Sequence, residues 1–246
     1  MKRDSKPIPQ FRIKATLQDF FSSATPALLE SSHLPHQDHF QKLRQQMVQR
    51  QIHNRGIRSK AILTAMQRVP RHLFMLPEYR SDAYNDQAYP IGFEQTISQP
   101  YIVALMTELL DLQPESRVLE IGTGCGYQTA VLAEIVEQVY TIEIIDNLAQ
   151  QAWERLIGLN YQNIEWQVGN GYSGWEHQAP FDRIIVTAAP PTLPDRLIDQ
   201  LEIGGKIVLP IGKTKQDLLQ ITRMESKLVK KSYGGVRFVP MTQYQQ

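Results

Sequence analysis

The sequence predicts an α/β protein built on a doubly wound, Rossmann-like parallel sheet, with helices ahead of the sheet and antiparallel strands at one edge. Three observations lead there. Five short apolar or β-branched runs alternate with helical stretches between residues 117 and 210, the pattern of parallel strands joined by crossover helices. The first run ends in a glycine-rich turn, Gly122 to Gly126, that opens a helix. Two later runs, residues 218–224 and 236–240, have no convincing helix between them, so they are expected to add antiparallel strands.

Taken in order, residues 1–38 mix Pro, Ser, Gln and His without sustained periodicity and read as a poorly ordered extension ahead of a domain over 39–246. His33, His36 and His39 share a three-residue spacing. Pro35 would interrupt a helix that aligned them, and no carboxylate or thiol pattern accompanies them, so no metal site is expected. Phe40, Leu43, Met47 and Val48 form one helical stripe, and Ile62, Leu63, Met66 and Val69 a second, with Asn54 to Gly56 between them. Ser98 precedes Gln99, Pro100 and the apolar set Ile102, Leu105, Met106, Leu109 and Leu110, so a helix is expected to begin at this serine. The five parallel strands are expected at 117–121, 139–143, 164–168, 183–186 and 206–210.

Composition narrows the class. With 246 residues, 42% of them hydrophobic, the chain can bury one sizeable core. No run approaches the roughly 18 apolar residues of a membrane span, and the basic N-terminus lacks the apolar segment of a secretory signal. A cytoplasmic protein is expected. Cys125 is the only cysteine, which excludes an intramolecular disulfide framework. Formal charge is +1 overall, yet residues 41–80 carry nine Lys or Arg against Glu78, a local +8 that leaves −7 elsewhere. Those charges are scattered around amphipathic helices and read as a solvated face. A monomer with neither a nucleic-acid nor a membrane partner is the expectation.

The chemical signal is VLEIGTGCGYQTA, where a strand ending at Glu120 and Ile121 turns through Gly122, Gly124 and Gly126 into a helix near Tyr127. Glycines let the backbone turn sharply and approach a ligand closely. In the dinucleotide fingerprint the third glycine falls three positions after the second; here it falls two after. That spacing favours S-adenosylmethionine over a dinucleotide, although a glycine turn can also be purely structural. The second strand ends in Glu143, whose carboxylate lies beside the glycine loop in such a sheet and can accept ribose hydroxyls. Asn170 and Gly171 end the third strand, where they either meet the adenine or simply make an Asn-Gly turn. Cys125 reads as a small residue filling a tight place.

With these motifs in view, residues 43–242 closely resemble the protein-L-isoaspartate methyltransferase family. The resemblance is carried by VPRHLF (69–74), QTISQP (95–100), VLEIGTGCGYQT, FDRIIVTAA (181–189), GGKIVLPIG and VRFVPMT (236–242). The glycine motif is common to methyltransferases; QTISQP and VRFVPMT are particular to this family. The resemblance implies transfer of a sulfonium methyl from S-adenosylmethionine to the free carboxylate of L-isoaspartyl residues, with D-aspartyl as a further candidate, in damaged proteins and peptides. The ester then collapses to a succinimide that hydrolyses partly to normal aspartate. It implies an active-site role for Ser98, with Thr96, Ile97, Val239 and Pro240 near the substrate. Cofactor contacts are implied at Glu120, Gly122, Thr123, Gly124, Gln128, Thr129, Glu143, Asn170 and Gly171. An ionised carboxylate needs no general base, so the protein's task is positioning. The sequence departs from the family at Phe93 and Glu94, where His or Tyr and then Gly are common, and at Asn170, where aspartate is usual. Two other readings compete: a carboxyl methyltransferase acting on a dedicated peptide precursor, and a non-catalytic adaptor.

Overall fold

The computed structural model describes residues 35–243. The expectations for His33 and for most of the extension fall outside the described residues. The compact unit that carries the site begins at Asp38. Helix α1, Pro35–Met47, passes through a wider π-helical turn over Val48–Ile52 and a tighter 3-10 turn over His53–Arg55, and α2 follows at Lys60–Arg68. Pro35 stands at the first position of this helix, which carries His36 and His39, while His33 lies outside the described residues. Proline fits the first helical position because its missing N–H would have had no partner there.

A hairpin of β1 (Tyr89–Gly92) and β2 (Gln95–Ile97) leads into α3, Pro100–Leu110. The main sheet then runs β3 (Arg117–Ile121), α4 (Tyr127–Ala133), β4 (Gln138–Glu143), α5 (Asp146–Gly158), β5 (Ile164–Val168), β6 (Phe181–Val186), α6 (Asp195–Asp199), β7 (Leu201–Ile211), β8 (Gln216–Arg223) and β9 (Leu228–Val236). Its strand order is β5-β4-β3-β6-β7-β8-β9. The first five strands pair in parallel, and β8 and β9 add antiparallel at the edge.

Two expectations need correction. The last strand is Leu228–Val236, not 236–240. Its LVKKSYGGV sequence is mostly exposed and shows no apolar alternation that could announce it. Residues after Val236 leave the sheet and return toward β6, where Pro240 bridges Ala189. Helix α3 also starts later than Ser98: Gln99 is its N-cap, and no side chain caps the first turn. Pro100 drives the residue before it into an extended conformation, so Gln99 takes the boundary position.

Alternation along the central strands decides which residues face which layer. Val118 and Val139 enter the core shared with α2, α3 and α4, while Leu119, Ile121, Tyr140 and Ile142 enter the core on the opposite face. Glu120, Thr141 and Glu143 therefore share the face of Val118 and Val139. The basic segment is only partly solvated: Arg55 pairs with Asp86 and Arg68 with Glu134, and Arg71 is fully buried. Arg71 donates from Nε to the Ala83 carbonyl at 2.8 Å, and its guanidinium lies 4.8 Å from the Tyr127 ring centroid, beneath the glycine turn.

Candidate active site

The chain moves outward from β3 through β4 to β5, then returns to place β6 on the other side of β3. That reversal opens a crevice at the carboxyl ends of β3 and β6, the usual ligand position in such sheets. The crevice is a partly open cavity, walled by the turn after β3, the end of β4, the residues just past β6 and the segment 239–242. Its floor is the turn after β3. A Cβ at Gly122 would stand 2.4 Å from Thr187 Oγ1, so only glycine lets the two strand ends approach this closely. The Thr187 hydroxyl donates within the same contact, to the Gly122 carbonyl at 2.6 Å.

Glu143, 5% exposed at the end of β4, is fixed by backbone donors. Oε2 accepts from Gly124 N at 2.8 Å, and Oε1 accepts from Ile144 N and Ile145 N at 2.9 and 3.0 Å. A carboxylate offers about four acceptor sites, so one on Oε2 stays open at the cavity wall. Gly122, Thr123, Gly124, Gln128 and Gly171 line the same cavity, as do Thr96, Ile97, Ser98, Val239 and Pro240. Residues about 140 apart in sequence meet because Ala189 N donates to the Val239 carbonyl and Met241 N to the Ala189 carbonyl, at 2.8 and 2.9 Å. The Ser98 hydroxyl makes no hydrogen bond to the described residues. It stands where the cavity joins a broader groove that Thr96, Thr187 and Val239 also line.

Three expected contact residues do not line the cavity. Glu120 and Thr129 are fully buried behind it. Thr129 and Thr141 donate to Glu120 Oε2 at 2.6 and 2.7 Å, and Thr123 joins this network at Thr141, 2.7 Å away. Strand alternation turns Glu120 under α4 and away from the crevice, so Thr123 is the member that reaches the cavity. Burial pushes the Glu120 carboxyl up to about 8, the two threonine hydrogen bonds oppose that rise, and the charge of Glu143 adds to it. Asn170 spends its side chain locally: Oδ1 accepts from Tyr172 N at 3.0 Å, capping a short turn, which is the turn reading of Asn-Gly. Cys125 is buried, and burial raises its pKa, away from nucleophilic character.

Sequence reasoning missed Thr187 and Ala188 just past β6 and Val103 and Met106 on α3, all of which line the cavity. The signal for Thr187 was present, since a residue just past the strand that reverses the winding belongs at the crevice. The α3 residues read as ordinary core positions. Phe93 and Glu94 form the β1–β2 turn, both at positive φ (52° and 57°), and neither lines the cavity or the groove. A two-residue hairpin loop imposes that geometry.

The family model for protein-L-isoaspartate(D-aspartate) O-methyltransferase matches residues 41–246. The chain belongs to this family. Relatives include a protein-L-isoaspartate O-methyltransferase of Picosynechococcus, 51% identical over 81% of this chain and 90% of its own length. Another, from Syntrophus aciditrophicus, is 51% identical over 83% and 95%. Among solved structures, a protein-L-isoaspartate O-methyltransferase superposes with a TM-score of 0.74 at 28% identity, covering 83% of this chain and 66% of that one. A Plasmodium falciparum family member in complex with S-adenosyl-L-homocysteine superposes with a TM-score of 0.71 at 26% identity, covering 81% and 98%. Membership makes the chain an S-adenosylmethionine-dependent O-methyltransferase with the expected Rossmann-like fold. No group of three His, Cys, Asp or Glu residues suited to a metal occurs among the described residues, and no described helix is long and apolar enough to cross a membrane.

Proposed function

We propose that this chain methylates the free carboxylate of L-isoaspartyl residues in damaged proteins and peptides, with Ser98 orienting that carboxylate and Glu143 holding the cofactor ribose. The observation that carries the assignment is the unbonded Ser98 hydroxyl at the mouth shared by cavity and groove, across from the Val239–Pro240 segment. When bound, the cofactor supplies an electrophilic sulfonium methyl. Glu143 offers its open Oε2 site to a ribose hydroxyl. The glycine turn allows close approach, and Ile97, Met106 and Ile121 give the wall an apolar surface that keeps water from the reacting carboxylate. Because that carboxylate is already ionised at neutral pH, no general base is required. Alignment over about 3 Å supplies the acceleration.

The test is labelled S-adenosylmethionine offered with a short isoaspartyl peptide and with the same peptide carrying normal aspartate. Methylation of the first alone, as a base-labile ester, is expected. Equal methylation of both would sink the repair assignment, and no methylation of either despite tight cofactor binding would favour the dedicated-precursor or adaptor reading.

The same reading treats residues 1–38 as an appendage dispensable for chemistry, supported by a family match that starts at residue 41. A chain begun at Asp38 is expected to keep its activity on short isoaspartyl peptides. It further takes the enzyme to be a cytoplasmic monomer without nucleic-acid or membrane partners, on the near-zero net charge and the single cysteine. Sedimentation tests the monomer.

A further inference from the structure

We propose that the groove beside the cavity selects isoaspartyl sites with an acidic residue close by, through Lys215 and Arg237. This rests on the repair reading, because that reading puts the substrate carboxylate at Ser98 and so lays the flanking polypeptide along the groove. Three charged residues line the groove: Asp86, Lys215 and Arg237. Asp86 is already engaged. Arg55 Nη1 and Gln99 Nε2 donate to its Oδ2 at 2.6 and 2.7 Å, and Tyr101 N donates to Oδ1 at 3.3 Å. Lys215 and Arg237 are exposed and make no ion pair or hydrogen bond through their side chains with the described residues. Asp217, next to Gln216 on β8, does not line the groove. The groove therefore faces its occupant with two uncompensated positive charges and no free negative one.

Both cations sit on fixed backbone. Lys215 closes the β7–β8 turn, where a Cβ at Gly212 would lie 2.0 Å from the Lys215 carbonyl oxygen, so the turn tolerates only glycine at that point. Arg237 precedes Phe238, whose N–H donates to Gln216 Oε1 at 2.6 Å and whose carbonyl accepts from Gln216 Nε2 at 3.0 Å. That two-way clamp fixes the segment which continues to Val239 and Pro240 at the cavity. The backbone positions that carry the two charges are thus fixed relative to the cavity, and the charges favour an Asp or Glu within a few residues of the reacting carboxylate.

The experiment compares kcat/KM for isoaspartyl peptides identical except for Glu, Gln or Lys two residues to either side of the isoaspartyl. At low ionic strength the Glu peptide is expected to exceed the Lys peptide by roughly 3- to 10-fold, the range for two exposed charge contacts, and the gap should narrow with salt. The Lys215→Gln, Arg237→Gln double variant should abolish the preference, and the corresponding double Glu variant should reverse it. S-adenosylhomocysteine affinity reports whether each variant is folded, and the Gln pair carries the test if the Glu pair is not. Equal efficiency for Glu and Lys peptides, or a preference that survives in the Gln pair, overturns the proposal. Failure to methylate any isoaspartyl peptide overturns the repair reading beneath it, a result distinct from methylation without charge preference.

Discussion

Replacing Glu143 by Gln probes the residue on which the cofactor assignment leans most. The carboxylate accepts three backbone N–H bonds, two at Oε1 and one at Oε2. An amide has a single oxygen, so its better orientation keeps Ile144 N and Ile145 N satisfied and sets an NH2 group against the Gly124 N–H. One buried donor then loses its acceptor, at a cost of about 1–3 kcal/mol. For a chain of this size that lowers Tm by roughly 2–10 °C. The open Oε2 acceptor is lost as well, and a hydrogen bond to a charged group contributes about 1.5–3 kcal/mol. S-adenosylhomocysteine affinity should therefore fall by roughly 10- to 150-fold. Calorimetric titration well below the variant's Tm separates the two effects, with a melting curve for each protein. Unchanged affinity beside a lowered Tm would show that Glu143 serves the glycine turn alone, and unchanged values of both would refute the hydrogen-bond accounting altogether.

Ser98→Ala should lower kcat on an isoaspartyl peptide while leaving cofactor affinity and Tm unchanged, because Gln99 and not Ser98 is the N-cap of α3; a Tm loss of the size expected for a lost cap, about 1 kcal/mol, would contradict this. Glu120, held near 8 in the folded chain against an ordinary 4.5, keeps a proton that the unfolded chain releases between those values, so its contribution to stability falls as pH rises from about 4.5 to 8. Glu120→Gln mimics the neutral acid and should flatten the decline in Tm between those pH values; an unaltered pH profile would mean that Glu120 is ionised in the fold. Glu94→Gly should raise Tm by about 1–4 °C, since Glu94 sits at φ 57°, where a side chain costs about 1–2 kcal/mol and glycine returns only part of that as chain entropy. Destabilisation by this substitution would show that the turn is not strained.

The sequence alone determined what depends on local pattern. The parallel strands were legible because buried apolar runs alternate with helical stretches, and the glycine turn because only glycines with that spacing fit between a strand and a helix at a ligand site. Glu143 was legible from its position at a strand end beside that turn. Features that depend on distant partners were not. Whether Glu120 faces the crevice or the core is a matter of strand alternation against α4, and the network with Thr129 and Thr141 exists only once β3, β4 and α4 are packed. The strand Leu228–Val236 carries no apolar periodicity because it is an edge strand held by the backbone ladder of β8 rather than by burial. The contact of Thr187 with Gly122, and the return of Val239 and Pro240 to the mouth of the cavity, follow from where β6 enters the sheet. Local sequence sets what each segment prefers; the pairing of segments far apart in the chain sets which of their side chains share a site, and no local preference encodes that pairing.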